Sequence, residues 1–229
     1  MNKLKKEWQR LNKGRARQLR RFRRTGKDGY KQQAARLGWK MRQIRQKIMQ
    51  ITQMRRTSPA GAGFIASFEG FFDRPYNDPV GYATVGYGHL LGMRPVIDSD
   101  NSAIWVEGQH TSGRLTEKEG KRLLMKTLKD RFEPAVSALF AKGGPLEGKF
   151  TRGRFESLVS FSFNLGSGAV IPGTPGFETI GRAIAAGDTE AIADSMLLYD
   201  KAGGSALPGL TRRRRSEARL FRTGSYATN

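Results

Sequence analysis

The chain is predicted to be α+β, with a strongly basic helical extension over residues 1–57 followed by a domain over 58–229 in which a short helix runs into a small antiparallel sheet. Three observations carry this. Charge is partitioned, because residues 1–57 hold 20 Lys/Arg against only Glu7 and Asp28, a net of +18, whereas residues 58–229 hold 21 Lys/Arg against 18 acids. Apolar residues recur at alternating spacings of four and three from Tyr30 to Ile51 in the basic segment, a helical signature. Finally, the aromatic and β-branched stretch Tyr82 to Tyr87 is bounded by Asn77-Asp78-Pro79, Gly86 and Gly88, a grammar of strands and tight turns.

In the extension, Thr25-Gly26-Lys27-Asp28-Gly29 reads as a break between two helices. Beyond it Tyr30, Ala34, Leu37, Met41, Ile44, Ile48 and Ile51 form the seam of a heptad pattern. Before it Leu4, Trp8, Leu11, Leu19 and Phe22 make a less regular apolar face, diluted by Arg15. The simplest arrangement is a helical hairpin. A cation excess this large binds polyanions through counterion release. The candidates are an anionic membrane or lipopolysaccharide surface, nucleic acid, and an acidic partner protein, and the sequence does not choose among them.

Composition excludes several classes. With no cysteine and only His89 and His110, thiol chemistry, disulfides and a multi-histidine metal site are ruled out or disfavoured. No apolar run approaches the ~20 residues that span a bilayer, and the basic start lacks the pattern of a signal peptide. No cofactor is implied.

Ser58-Pro59 supplies a cap and a first-turn proline, and Phe64, Ile65 and Phe68 fall on one helical face, so Glu69 is expected at the end of a helix that stops at Gly70. A helix entering a sheet at this corner can aim an acid from the helix end and another from a hairpin turn into one cleft. Two carboxyls and a hydroxyl so placed suit glycoside hydrolysis, in which one carboxyl donates a proton while the other orients or activates water, or attacks as a nucleophile. Flanking phenylalanines make Glu69 the better acid, Asp78 sits in a polar turn, and Thr84 could hold water beside it. Further on, Thr116 and Glu119 form a capping box for another helix.

The stretch from Phe68 to Leu91 resembles the active-site signature of phage-type lysozymes, the endolysins and muramidases of glycoside hydrolase family 24. Glu69, then eight residues, Asp78, then five residues, Thr84, and then Gly86-Tyr87-Gly88-His89-Leu90 stand in the family's order without a gap. Leu115 to Glu119, Phe155 to Gly166 and Leu207 to Gly224 resemble further family segments. The resemblance implies a small antiparallel sheet lobe, a larger helical lobe and a cleft between them. It also implies cleavage of the β-1,4 bond between N-acetylmuramic acid and N-acetylglucosamine in peptidoglycan, with Glu69 as general acid and Asp78 and Thr84 holding the water that inverts the anomeric carbon. Inversion needs the carboxyls roughly 6.5–9.5 Å apart. Leu90, Phe163 and Thr179 match sugar-contacting positions. Arg213 is expected to approach Glu69 from the C-terminal helix, a contact that would have to loosen during catalysis.

The enzyme so implied is made in the host cytoplasm and acts on the wall, either as a lysis enzyme or borne in a virion. The alternative is a virion-borne structural or nucleic-acid-binding protein that keeps a lysozyme-like domain. Departures from the family's pattern are also legible. His89 is expected to be structural, yet the position of its usual acidic partner carries Thr127, with Asp130 one turn on. Tyr199 replaces a tryptophan in what reads as core packing. Residues 92–113 form a longer link than usual, bordering the cleft and open to a role in substrate range or partner contact.

Overall fold

The computed structural model describes residues 2–101, 105–106, 109–110 and 114–228. The chain divides into two compact units, Met1–Arg56 and Thr57–Asn229.

The first unit is two helices, α1 (Asn2–Thr25) and α2 (Asp28–Met54), packed on one another. Gly26, at φ 66°, makes the reversal and donates to Phe22 O at 2.7 Å. Only glycine enters that left-handed region without steric cost. The helices run antiparallel: Lys31 lies over the Phe22 ring, Gly38 faces Arg15, and Gly14 faces Leu37. The heptad seam faces inward, with Ala34, Met41 and Ile44 buried and Tyr30 and Leu37 half-buried. Leu4, Trp8, Leu11, Leu19 and Phe22 are half-buried on α1, as are Gly14 and Gln18, while Arg15 stays exposed with its side chain along Gly38 of α2. The side chains of Ile48 and Ile51 lie outside the described residues.

The second unit starts at a capped helix, α3 (Pro59–Ala66), in which Ser58 accepts from Gly61 N. Its entry is pinned by two carboxylates: Glu133 accepts Thr57 N at 2.8 Å and the fully buried Glu156 accepts Ser58 N at 2.7 Å. Tyr226 OH also donates to Glu156. The helix ends at Ala66, three residues earlier than expected. Tight i→i+3 bonds from Phe68 N to Ile65 O and from Glu69 N to Ala66 O close the last turn instead of a glycine cap, so Glu69 sits in a turn beyond the helix.

Three antiparallel strands follow in the order β1 (Phe72–Asn77), β2 (Ala83–Gly86) and β3 (His89–Gly92), with Tyr76 opposite Thr84 and Thr84 opposite Leu90. The long link is tied to this sheet. Ala83 N donates to Arg94 O, Val96 N to Asn77 Oδ1, and Arg94 makes two 2.7 Å bonds to the buried Asp100. A two-stranded ribbon then pairs β4 (Trp105–Val106) with β5 (Gln109–His110). Residues 102–104, 107–108 and 111–113 of the link, Gly108 included, lie outside the described residues.

The rest is mainly helical. Helix α4 (Glu117–Thr127) begins at the Thr116–Glu119 capping box, with both reciprocal bonds made, and passes through a π-helical turn, Leu128–Phe132, into α5 (Glu133–Leu139). Helix α6 (Arg152–Leu165) is the axle of the core, with Phe155, Leu158, Val159 and Phe161 fully buried. Around it stand α7 (Glu178–Ala186) and α8 (Thr189–Met196), then a short ribbon of β6 (Lys201–Ala202) and β7 (Ser205–Ala206), and finally α9 (Pro208–Thr223). This is the expected α+β architecture, a small antiparallel sheet beside a helical body.

Candidate active site

The turn after β1 is built around Asp78. Its Oδ1 accepts from Val80 N and Tyr82 N, each at 2.9 Å, which holds one carboxylate oxygen in place. Gly81, at φ 87°, lets the chain reverse and donates to Asp78 O. The carbonyl of Tyr82 then gathers two of the expected residues, because it accepts both Asp78 N at 2.9 Å and Thr84 Oγ1 at 3.1 Å. Thr84 is buried at the centre of the sheet, with Tyr76 on one side and Leu90 on the other.

Glu69 reaches the same locality from the turn after α3. Tyr76 reports the neighbourhood: its phenol is held above the ordinary tyrosine range by burial, then by the negative charges of Asp78 and Glu69. One ring thus lies within electrostatic reach of both carboxylates. The side chain of Glu69 is 25% exposed and accepts a 2.6 Å hydrogen bond from Arg213 Nη1. Arg213 is itself buried. Its Nε donates to Glu217 at 3.0 Å, its Nη2 to Ser160 O at 3.3 Å, and its guanidinium lies over the Phe68 ring at 5.2 Å. Ser160 Oγ donates to the same Glu217 oxygen at 2.6 Å. The expected approach of Arg213 to Glu69 is therefore present.

Phe163 is half-buried near the end of α6, edge-on to Phe132 at 5.2 Å and within van der Waals reach of Gly88, which links it to the β2–β3 turn. Thr179 stands exposed in the first turn of α7, and none of the described contacts ties it to Glu69, Asp78 or Thr84. His89 meets Thr127 Oγ1 through Nδ1 at 2.7 Å, while Asp130 is engaged by Lys126 at 2.8 Å. The histidine thus takes a hydroxyl in place of an acid. Burial, then Lys126 and Arg131, lower its pKa, and Asp130 opposes them. Tyr199 packs between Phe177 and Phe161, a core role.

Sequence reasoning missed the second arginine. Arg214 is wholly buried over the Phe161 ring, donates to Asn164 Oδ1 at 2.7 Å and stands 3.0 Å from Glu217. The spacing of Glu217, three and four residues beyond the two arginines, was the available signal. Among the described residues no cluster of His, Cys, Asp and Glu could hold a metal ion, and no helix is long and apolar enough to cross a membrane.

Comparison with known proteins agrees with this fold. A family model described as phage lysozyme matches residues 66–217. An endolysin of Bacillus phage B103 is 30% identical over 169 residues, covering 73% of this chain and 54% of that protein. The chain spans only a little over half the length of the endolysins it matches. Among solved structures, the muramidase domain of SpmX from Asticaccaulis excentricus is 28% identical with a TM-score of 0.53, covering 73% of this chain and 98% of that one. A P22 lysozyme mutant is 26% identical, also at a TM-score of 0.53, covering 72% and 97% of the two chains.

Proposed function

The chain belongs to the phage lysozyme family, and from that premise we propose that it is a muramidase that hydrolyses the β-1,4 bond between N-acetylmuramic acid and N-acetylglucosamine in peptidoglycan. The observation that carries this reading is the gathering of Asp78 and Thr84 on the Tyr82 carbonyl, with Tyr76 feeling the charges of both Asp78 and Glu69.

Glu69, protonated, donates to the glycosidic oxygen as the C1–O bond breaks. A water held between Asp78 and the Thr84 hydroxyl attacks C1 from the opposite face and passes its proton to Asp78, which inverts the anomeric carbon. Leu90, Phe163 and Thr179 contact the sugar chain. Arg213 Nη1 donates to Glu69 at 2.6 Å, and the pair must open for Glu69 to turn to the glycosidic oxygen. Substrate entering between Glu69 and Arg213 would open it. No cofactor takes part in this scheme. The basic extension delivers the enzyme to an anionic surface, and the enzyme acts on the host wall during phage lysis.

Glu69→Gln is the test. It should leave the circular-dichroism spectrum unchanged and cut turbidity clearing of purified peptidoglycan by at least ~10²-fold, the scale on which general-acid catalysis contributes. Clearing at the wild-type rate would sink the assignment. Inversion has its own readout: by NMR, the first reducing sugar released must carry the α configuration.

A further inference from the structure

The exposed side of α2, opposite its seam, is neither apolar nor uniformly charged. At 3.6 residues per turn, Gln32, Ala35, Gln43 and Gln46 all point within about 40° of the direction of Trp39. All are exposed, and Trp39 shows 57% of its surface. The row continues back to the exposed Asp28 in the first turn of α2, its one acid, and from Lys31 on cations rise along both flanks of the uncharged part, with Arg36, Lys40 and Lys47 on one side and Lys31, Arg42 and Arg45 on the other, again all exposed. Ala34, Met41 and Ile44, on the opposite side, are buried against α1.

We propose that this face of α2 docks lengthwise in the major groove of duplex DNA, its glutamine amides meeting base edges and its two cationic rails meeting the two phosphate backbones. This deepens the reading of the extension as a polyanion-binding segment and rests on it. The fit is one of width, charge and hydrogen bonding. A helix with its side chains is about 10–12 Å across, the groove is about 12 Å wide, and a phosphate backbone borders it on each side. Glutamine can donate to and accept from adenine in that groove at once, and Arg and Lys bind phosphate without regard to sequence.

Other polyanions match less well. A helix lying in a membrane interface needs a broad apolar face, and here the apolar residues are spent in the α1 seam. Glutamine amides sunk among acyl chains would lose hydrogen bonds to water with nothing in return. A second copy of the same face would bring like-charged rails together.

Full-length protein would be titrated at several salt concentrations against A·T-rich duplex, G·C-rich duplex, the A·T-rich single strand and phosphatidylglycerol vesicles. Three versions would be compared: wild type, Gln32→Ala/Gln43→Ala/Gln46→Ala, and Arg36→Gln/Arg42→Gln/Lys47→Gln. The expected result is that duplex binds best, with A·T-rich preferred. The glutamine variant should lose that preference and weaken A·T-rich binding roughly tenfold. The cation variant should weaken all duplexes and lower the salt slope by about one per contact removed. Equal duplex binding by the glutamine variant and wild type would overturn groove docking, as would tighter binding of single strand or vesicles; in both cases the extension would remain a polyanion binder. No binding to any of the four would instead sink the polyanion reading itself. Wild-type helicity by circular dichroism in a fragment of residues 1–56 carrying each set of substitutions, a unit compact in itself, confirms that the hairpin of each variant is folded.

Discussion

Arg213 and Arg214 sit side by side in a run of four arginines and do different work. Arg213 joins Glu69 to Glu217, whereas Arg214 is sealed in the core on Asn164 and Phe161. Glu217 is fully buried and stands 3.0 Å from each. Breaking a buried pair from one side costs about 3–5 kcal/mol, because the remaining charge is left without compensation. Glu217→Ala should therefore destabilise the protein on that scale in urea titration and disturb the placement of Glu69. A loss below about 1 kcal/mol, the worth of an exposed pair, would show that water reaches the site. His89 offers a test by pH. Its pKa is lowered in the folded state, first by burial, so below the unfolded value of about 6.5 the unfolded chain binds the proton more readily. The stability that His89 supports is complete above that pH and is lost as the pH falls through the lowered value. The melting temperature should fall further between pH 7 and pH 5 in wild type than in His89→Gln. Parallel falls would remove His89 as the source.

Between elements, close approach decides more than composition does. At Gly153 on α6 an added Cβ would stand 2.5 Å from Leu220 O and 2.8 Å from Gly224 Cα, both backbone atoms of α9 and its cap, so no side chain can move aside. Gly153→Ala should force the two helices apart and cost about 1–3 kcal/mol as overpacking, despite the better helix propensity of alanine. A gain in melting temperature would contradict the close packing. How far such features can be read beforehand follows from the range of the forces that set them. The Ser58 cap and the Thr116–Glu119 box were legible because each is closed within three residues of chain. The inward seam of α2 was legible from its period alone. Glu69 was placed at a helix end because Gly70 looked like a cap, but three-residue bonds ended the helix at Ala66, and bonds of that kind leave no residue signature. The Glu69–Arg213 contact, 144 residues apart, came from family resemblance; no local pattern carries it. The burial of Arg214 was invisible for the same reason, since arginines in one run differ only in what tertiary structure sets against them.

At the scale of the molecule, a lysozyme-family unit of nearly balanced charge, the proposed catalytic unit, is joined in one chain to a +18 hairpin. The join is structurally strict on the catalytic side. Thr57 and Ser58 are the first residues of that unit, and their backbone N–H groups satisfy the buried carboxylates of Glu133 and Glu156. The extension can therefore be removed cleanly only upstream of Thr57. A fragment of residues 55–229 keeps both donors, whereas one of residues 59–229 strips one hydrogen bond from each carboxylate, at about 0.5–3 kcal/mol apiece. The longer fragment should melt close to the catalytic transition of the whole protein and the shorter one well below it. With that control in hand, the charge division makes a separate prediction about salt. Counterion release ties binding through the extension to ionic strength, while the second unit, with a net charge of only +3, should show no such steep dependence. Retention of full-length protein on an anionic support should collapse between 50 and 200 mM salt by about 10³-fold or more, and the 55–229 fragment should not be retained at either concentration while clearing purified peptidoglycan at the full-length rate. Equal retention of the two proteins would mean that the catalytic unit, and not the extension, carries the affinity for polyanions.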